Sequence, residues 1–195
     1  TGTGSAKTIK HNLGKVPEMI WRKRRDGTGD WFVYHKGDIA AGNAGYTRRS
    51  LLNSTAAGGS NSAWNNTAPT STVFSVGSFS TQNGSGETYV SMLFASVEGI
   101  SSVGSYTGSS STVTVTTGFQ PRLILIKKTN ATGGWFLFDT LRGITAGADC
   151  YIELNSTAAQ VCSYDVIDLI STGFTIPTLG SINDNGDSYI YYAHS

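Results

Sequence analysis

The sequence predicts an all-β protein of two tandem homologous antiparallel β-sandwich units, residues 1–97 and 109–195, joined by a linker at 98–108. Three observations carry that expectation. The hexamer LNSTAA occurs twice, at Leu52–Ala57 and at Leu154–Ala159, with further matches on both sides of it. Short β-branched and aromatic runs alternate with turn residues along the chain, and no stretch sustains a helical period. Composition agrees: 14% of residues are charged and 11% aromatic, and Gly, Ser and Thr abound. A helical protein would carry more Ala, Leu, Glu and Lys, and a disordered chain would lack the rings.

In chain order, Thr8–Lys10 mirrors Thr112–Thr116, whose strict Thr/Val alternation is that of a half-buried strand. Met19–Lys23 answers Leu123–Ile126 with a basic pair behind it, and Trp31–Tyr34 answers Trp135–Phe138. In the second copy both runs are apolar on both faces, which suits interior strands, and Trp31 and Trp135 are read as core. Ser50–Leu52 leads into the first hexamer as Tyr151–Leu154 leads into the second. Val73–Val76 answers Phe174–Ile176, and Thr88–Phe94 answers Ser188–Ala193; Val166–Ile170 is a strand of the second unit. The spacing between matches drifts from 104 (Gly29 to Gly133) through 102 (Leu52 to Leu154) to 100 (Tyr89 to Tyr189), as short loop-length changes produce. Asp26–Gly29, Asn130–Gly133 and Asn183–Gly186 carry the Asn/Asp/Gly chemistry of hairpin turns. In LNSTAA the Leu ends a strand, and the Asn, Ser and Thr side chains can satisfy the backbone of a turn. Glu98–Gly108, rich in Gly and Ser, reads as an irregular connector. With no initiator Met, the whole is expected to be a piece of a longer protein with further copies.

Charge divides unevenly. Residues 1–97 hold ten Lys/Arg against five Asp/Glu, whereas 98–195 hold four against eight. Drift of solvated surface charge and charge-driven packing of copies both account for this. Cys150 and Cys162 both fall in the second unit, and the first unit, without cysteine, shows a scaffold that needs no bridge. Unbridged thiols are therefore expected, a disulfide being the alternative. No apolar run approaches the roughly 18 residues of a membrane helix, so no membrane insertion is expected.

Catalytic chemistry does not find its parts. His11, His35 and His194 have neither metal spacing nor a motif partner, and Asp139, Glu153 and Asp165 have no acidic counterpart in the first copy. No catalytic residue, metal or cofactor is expected. Asn183–Asp187 is oxygen-rich like a calcium loop, but lacks the spacing and terminal Glu of an EF-hand, and a hairpin turn is preferred. For ligands, the polar loop holding Trp64, Asn65 and Asn66 suits carbohydrate, because an indole stacks on sugar C–H faces and amides bridge vicinal hydroxyls. Tyr164 and Asp165 stand at the matching place, and a Trp capping the end of a sandwich is the structural alternative. Arg22, Arg24, Arg48 and Arg49 could contact an anionic glycan; the acidic second unit argues against nucleic acid.

Several of these motifs recur in a fixed order: Val103–Gly108; Gly118-Phe-Gln-Pro121 before a strand ending in Lys127-Lys128; Thr132-Gly-Gly-Trp135; the hexamer; Trp64–Phe74; Ser171–Phe174; and Tyr189–Ala193. The set resembles tandem repeats in tail-fibre and tail-associated proteins of bacteriophages, notably marine and cyanobacterial ones, over essentially the whole chain. The resemblance implies a non-enzymatic virion component at the adsorption end of a phage tail, extracellular when acting. It would be a homo-oligomer, in all expectation a trimer, whose partners are host cell-surface polysaccharide and other tail proteins. A spacer or baseplate decoration without ligand, and a glycan-degrading tailspike domain, are the alternatives. His194-Ser195, standing where the first copy has Phe94-Ala95, suggests a terminal copy.

Overall fold

Backbone pairing follows the alternation of side chains, and the protein is all-β, its sheets antiparallel throughout. The computed structural model describes residues 1–39, 44–145, 147–178 and 181–195. The chain folds into two compact units, Thr1–Asn53 with Gly58–Ala95, and Ser54–Ala57 with Ser96–Ser195.

The first unit contains β1 (Lys7–Lys10), β2 (Met19–Arg24), β3 (Phe32–His35), β4 (Arg48–Leu51), β5 (Gly59–Ser60), β6 (Val73–Val76) and β7 (Tyr89–Phe94), with a short helix α1 (Ser80–Asn83) before the last. A five-stranded sheet runs in the order β5-β4-β3-β2-β7, and β1 with β6 makes a two-stranded ribbon. Ile20, Phe32 and Tyr34 from the sheet meet Phe74 and Val76 from the ribbon in one buried cluster, closed by Ala63 and Trp64. Burying these apolar faces against each other is what holds the two layers together.

The second unit contains β8 (Ser101–Thr107), β9 (Val113–Thr116), β10 (Leu123–Lys128), β11 (Trp135–Asp139), β12 (Ile144–Thr145), β13 (Ala148–Glu153), β14 (Val161–Tyr164), β15 (Asp168–Ile170), β16 (Gly173–Ile176) and β17 (Ser188–His194). Its larger sheet runs β12-β13-β11-β10-β17-β8, with β14 also on β13, and β15-β16-β9 form the smaller one. Ile124, Ile126, Phe136 and Phe138 face Val115, Phe174 and Ile176 across the core. Registers recur between the units: Lys23 lies opposite Val90 and Lys127 opposite Ile190, while Ile9 lies opposite Phe74 and Val115 opposite Phe174.

The twice-written hexamer turns out to be a strand end and a turn. Leu52 and Leu154 donate their amides to the carbonyls of Trp31 and Trp135. Asn53 Oδ1 and Asn155 Oδ1 then accept the Trp31 and Trp135 amides, at 2.9 and 2.5 Å. Ser54 and Ser156 accept the amides of Ala56 and Ala158. The tetrapeptide Ser54–Ala57 belongs to the second unit, where the Thr55 carbonyl accepts from Gly133 N at 2.9 Å and Lys127 Nζ at 3.3 Å.

Three expectations change. The supposed connector contains β8, seven residues paired in full register with β17; strand pairing uses backbone groups, which Gly and Ser supply as well as any residue. Cys150 and Cys162 are joined by a disulfide across β13 and β14. Trp135 is buried as expected, whereas Trp31 is only half-buried.

Candidate functional site

The loop singled out for sugar binding folds inward at its aromatic residue. Trp64 is 2% exposed and meets the edge of Tyr34 at 5.9 Å between ring centroids. Its ring is core and offers no face to a ligand, which corrects the assignment of Trp64 as a contact residue. Asn65 and Asn66 are exposed and adopt left-handed backbone (φ 53° and 46°), a conformation asparagine tolerates better than other non-glycine residues. The turn by itself therefore accounts for the two asparagines.

Tyr164 behaves differently. Val166 and Ile167 enter the second core as Ala63 and Trp64 enter the first, and Tyr164 stays outside, 59% exposed, with Asp165 exposed beside it. Tyr164 closes β14 two residues after Cys162, opposite Asp149, so the disulfide pins the strand that displays it. Asp149 is fully buried and accepts the Val166 and Ile167 amides at 2.8 Å each; burial raises its pKa above the ordinary carboxylate value. The turn that follows Tyr164 is thus anchored.

The arginine set does not make an open cationic face. Arg22 is buried, donating Nε to the Gln82 carbonyl and Nη1 to Ser91 Oγ; burial lowers its pKa to about 10. Arg48 is buried against Asp38, at 2.9 Å, and also reaches the Gly58 carbonyl, while Ser50 holds the second Asp38 oxygen. Arg24 is half-exposed and paired with Asp26 and Glu87. Arg49 lies 5.0 Å over the Phe32 ring. Arg22 and Arg48 are accordingly withdrawn as glycan contacts. Apart from Asp26, the partners of Arg22 and Arg24 lie 60 to 69 residues away, at Gln82, Glu87 and Ser91, which is why the run Arg22–Arg25 read as a basic surface.

Carboxylates are likewise engaged locally: Asp139 with Arg142, and Glu153 with the Asn155 amide. In the loop considered for calcium, Asn183 is buried and donates to the carbonyls of Ser111 and Pro177, and Asp184 and Asp187 hold Lys128. Among the described residues no group of three or more His, Cys, Asp or Glu could hold a metal, and no helix is long and apolar enough to cross a membrane.

Two depressions stand out among the described residues. A cleft of about 450 Å³ in the first unit lies between β1 and β7, lined by Ile9, His11, Arg22, Phe74, Ser91 and Leu93 among others. A wider groove of about 700 Å³ in the second unit is bordered by Leu137, Leu141, Arg142 and Gln160. The first was missed from sequence, although aligning the copies sets Ser91 against Tyr191, a large change of volume at a core-facing place.

All 195 residues match the model of a domain family of unknown function, DUF7483. No curated protein and no solved structure matches the chain.

Proposed function

The chain belongs to the DUF7483 family, and from that premise we propose that it is a non-enzymatic attachment module of a phage tail that binds host cell-surface glycan. The observation that carries this reading is the setting of Tyr164: an exposed ring on a strand clamped by a disulfide, with an exposed carboxylate next to it. A fixed backbone leaves the exposed ring less freedom to lose when a sugar stacks on it, and Asp165 can accept sugar hydroxyls. Such a flat site binds weakly, and linked copies multiply affinity roughly 10²–10⁴-fold. The ordered motifs, which resemble those of phage tail repeats, support the setting, and a disulfide suits an extracellular protein. The trimeric state and contacts with other tail proteins belong to the same proposal.

The test is adsorption to host cells and binding to a glycan array by the intact chain, its Tyr164→Ala variant and its Asp165→Ala variant. Both substitutions are at exposed sites and should change stability by no more than about 0.5 kcal/mol. At least tenfold weaker binding by Tyr164→Ala is expected. Undiminished binding removes Tyr164 from the site, and release of oligosaccharides from host polysaccharide would replace attachment by degradation. A spacer without ligand is the second reading, favoured by the burial of Trp64, Arg22 and Arg48.

A further inference from the structure

Given the glycan reading of Tyr164, the charges around that ring decide which class of sugar suits it. The second unit holds four Lys/Arg: Arg122, Lys127, Lys128 and Arg142. Three of them are committed elsewhere. Lys127 is fully buried and donates to the carbonyls of Gly133 and Thr55. Lys128 is buried and held by Asp184 and Asp187, and Arg142 is held by Asp139. Arg122 borders the groove at Gln160, which precedes β14, whereas Tyr164 closes that strand. No cation of this unit therefore balances the end of β14 that displays the ring.

Carboxylates are placed the other way. Asp165 follows the ring, is exposed, and among the described residues enters no ion pair of the second unit. Asp149, opposite Tyr164, is buried and accepts only backbone amides, from Thr145, Val166 and Ile167. Glu153 lies on the same strand as Asp149 and takes only the neutral Asn155 amide. Burial first, and then Glu153 and Tyr164, push the Tyr151 phenol above its ordinary pKa, which places all three side chains in one neighbourhood. An exposed anion beside an exposed ring is a place for a cation. The ring face attracts positive charge, and a charge-assisted hydrogen bond is about twice as strong as a neutral one. A uronate, sulfate or phosphate on a sugar would meet like charge instead.

We propose that the Tyr164 site selects an amino sugar with a free ammonium group, a 2-amino-2-deoxyhexose, over its N-acetylated form and over acidic sugars. The C–H face of the sugar lies on the Tyr164 ring while the ammonium donates to Asp165. N-acetylation keeps the stacking but removes the charge, so Asp165 loses its counter-ion. An acidic sugar keeps the stacking and adds repulsion. The selection is opposite to the anionic glycan expected from Arg22 and Arg48, both of which are buried. It rests on Tyr164 being a glycan site, and the test separates the two.

The experiment titrates the intact chain with three fluorescent oligosaccharides of equal length: glucosamine, its fully N-acetylated counterpart, and galacturonate. Anisotropy reads affinity at about pH 6, where the amine is protonated. The glucosamine oligomer should bind about tenfold tighter than the acetylated one, with galacturonate weakest. Raising salt from about 0.01 M to about 1 M shrinks the Debye length from about 30 Å to about 3 Å and should erase most of that preference. Asp165→Asn should cut it about fivefold or more. Glu98→Gln removes an exposed charge next to β8, at the opposite edge of the sheet from β14, and should leave it unchanged. Tyr164→Ala should weaken binding of both glucosamine oligomers. The ammonium selection is overturned, with the glycan reading intact, if the acetylated or the galacturonate oligomer binds as tightly as glucosamine. It is likewise overturned if the preference survives Asp165→Asn, or if Tyr164→Ala leaves glucosamine binding unchanged. No binding of any oligomer at millimolar concentration overturns it too, and a blank glycan array would then remove the glycan reading as well.

Discussion

Breaking the Cys150–Cys162 bond, by reduction or by paired serine substitutions, should loosen the second unit and leave the first unchanged. The bond closes a loop with a sequence separation of 12, and loop-closure entropy for that length is worth about 3 kcal/mol. It ties β14, half-buried at Val161 and exposed from Cys162 onward, to the edge of β13. The first unit holds the corresponding strands, β4 and β5, differently: Arg48, opposite Ser60, reaches the Gly58 carbonyl and is anchored by Asp38. For a unit of roughly 100 residues, 3 kcal/mol corresponds to a fall in Tm of about 12 °C or somewhat more. Calorimetry with and without reductant measures it, with the first unit as internal control, and hydrogen exchange should rise from Val161 to Tyr164. Glycan binding through Tyr164 should weaken in parallel, because the ring loses its rigid support. A shift below about 2 °C with unchanged exchange on β14 would falsify the assignment of the bond as the clamp of that strand.

Two further outcomes follow from burial and charge. Trp64→Ala should cost the first unit about 3–5 kcal/mol, read from urea unfolding, while glycan binding persists wherever the variant is still folded. Selective loss of binding in a folded Trp64→Ala protein would return that ring to the ligand site. Asp187 is held below its ordinary pKa by its hydrogen bond from Lys128, with burial opposing and Asn130 adding to the effect. A depressed carboxylate contributes stability that is fully present above its unfolded value, near 4, and is lost as pH falls through its folded value. Asp187→Asn should therefore flatten the decline of the urea midpoint below about pH 4, and an acid limb identical to the parent's would eliminate Asp187 as its source.

The parts that could be read early are those whose cause is local. The Thr112–Thr116 alternation became β9, and the apolar run of Trp135–Phe138 became interior strand β11. The Asn of the repeated hexamer caps the Trp amide that its spacing places within reach in both units. Harder to read were elements whose cause lies in a distant partner. The β8 segment shows no side-chain pattern of a strand because its hydrogen bonds come from the backbone, and only β17 reveals them. Arg22 reads as surface charge until Gln82, Ser91 and Tyr89 are found around it.

Amino-acid order alone set most of the strands, the turn chemistry and the correspondence between the two stretches, since alternation and turn preference act over a few residues. The folded chain decided which aromatic ring is core and which is displayed, and that the two cysteines meet. Burial and pairing depend on residues brought together from remote parts of the chain, and a linear pattern does not specify which of them will meet.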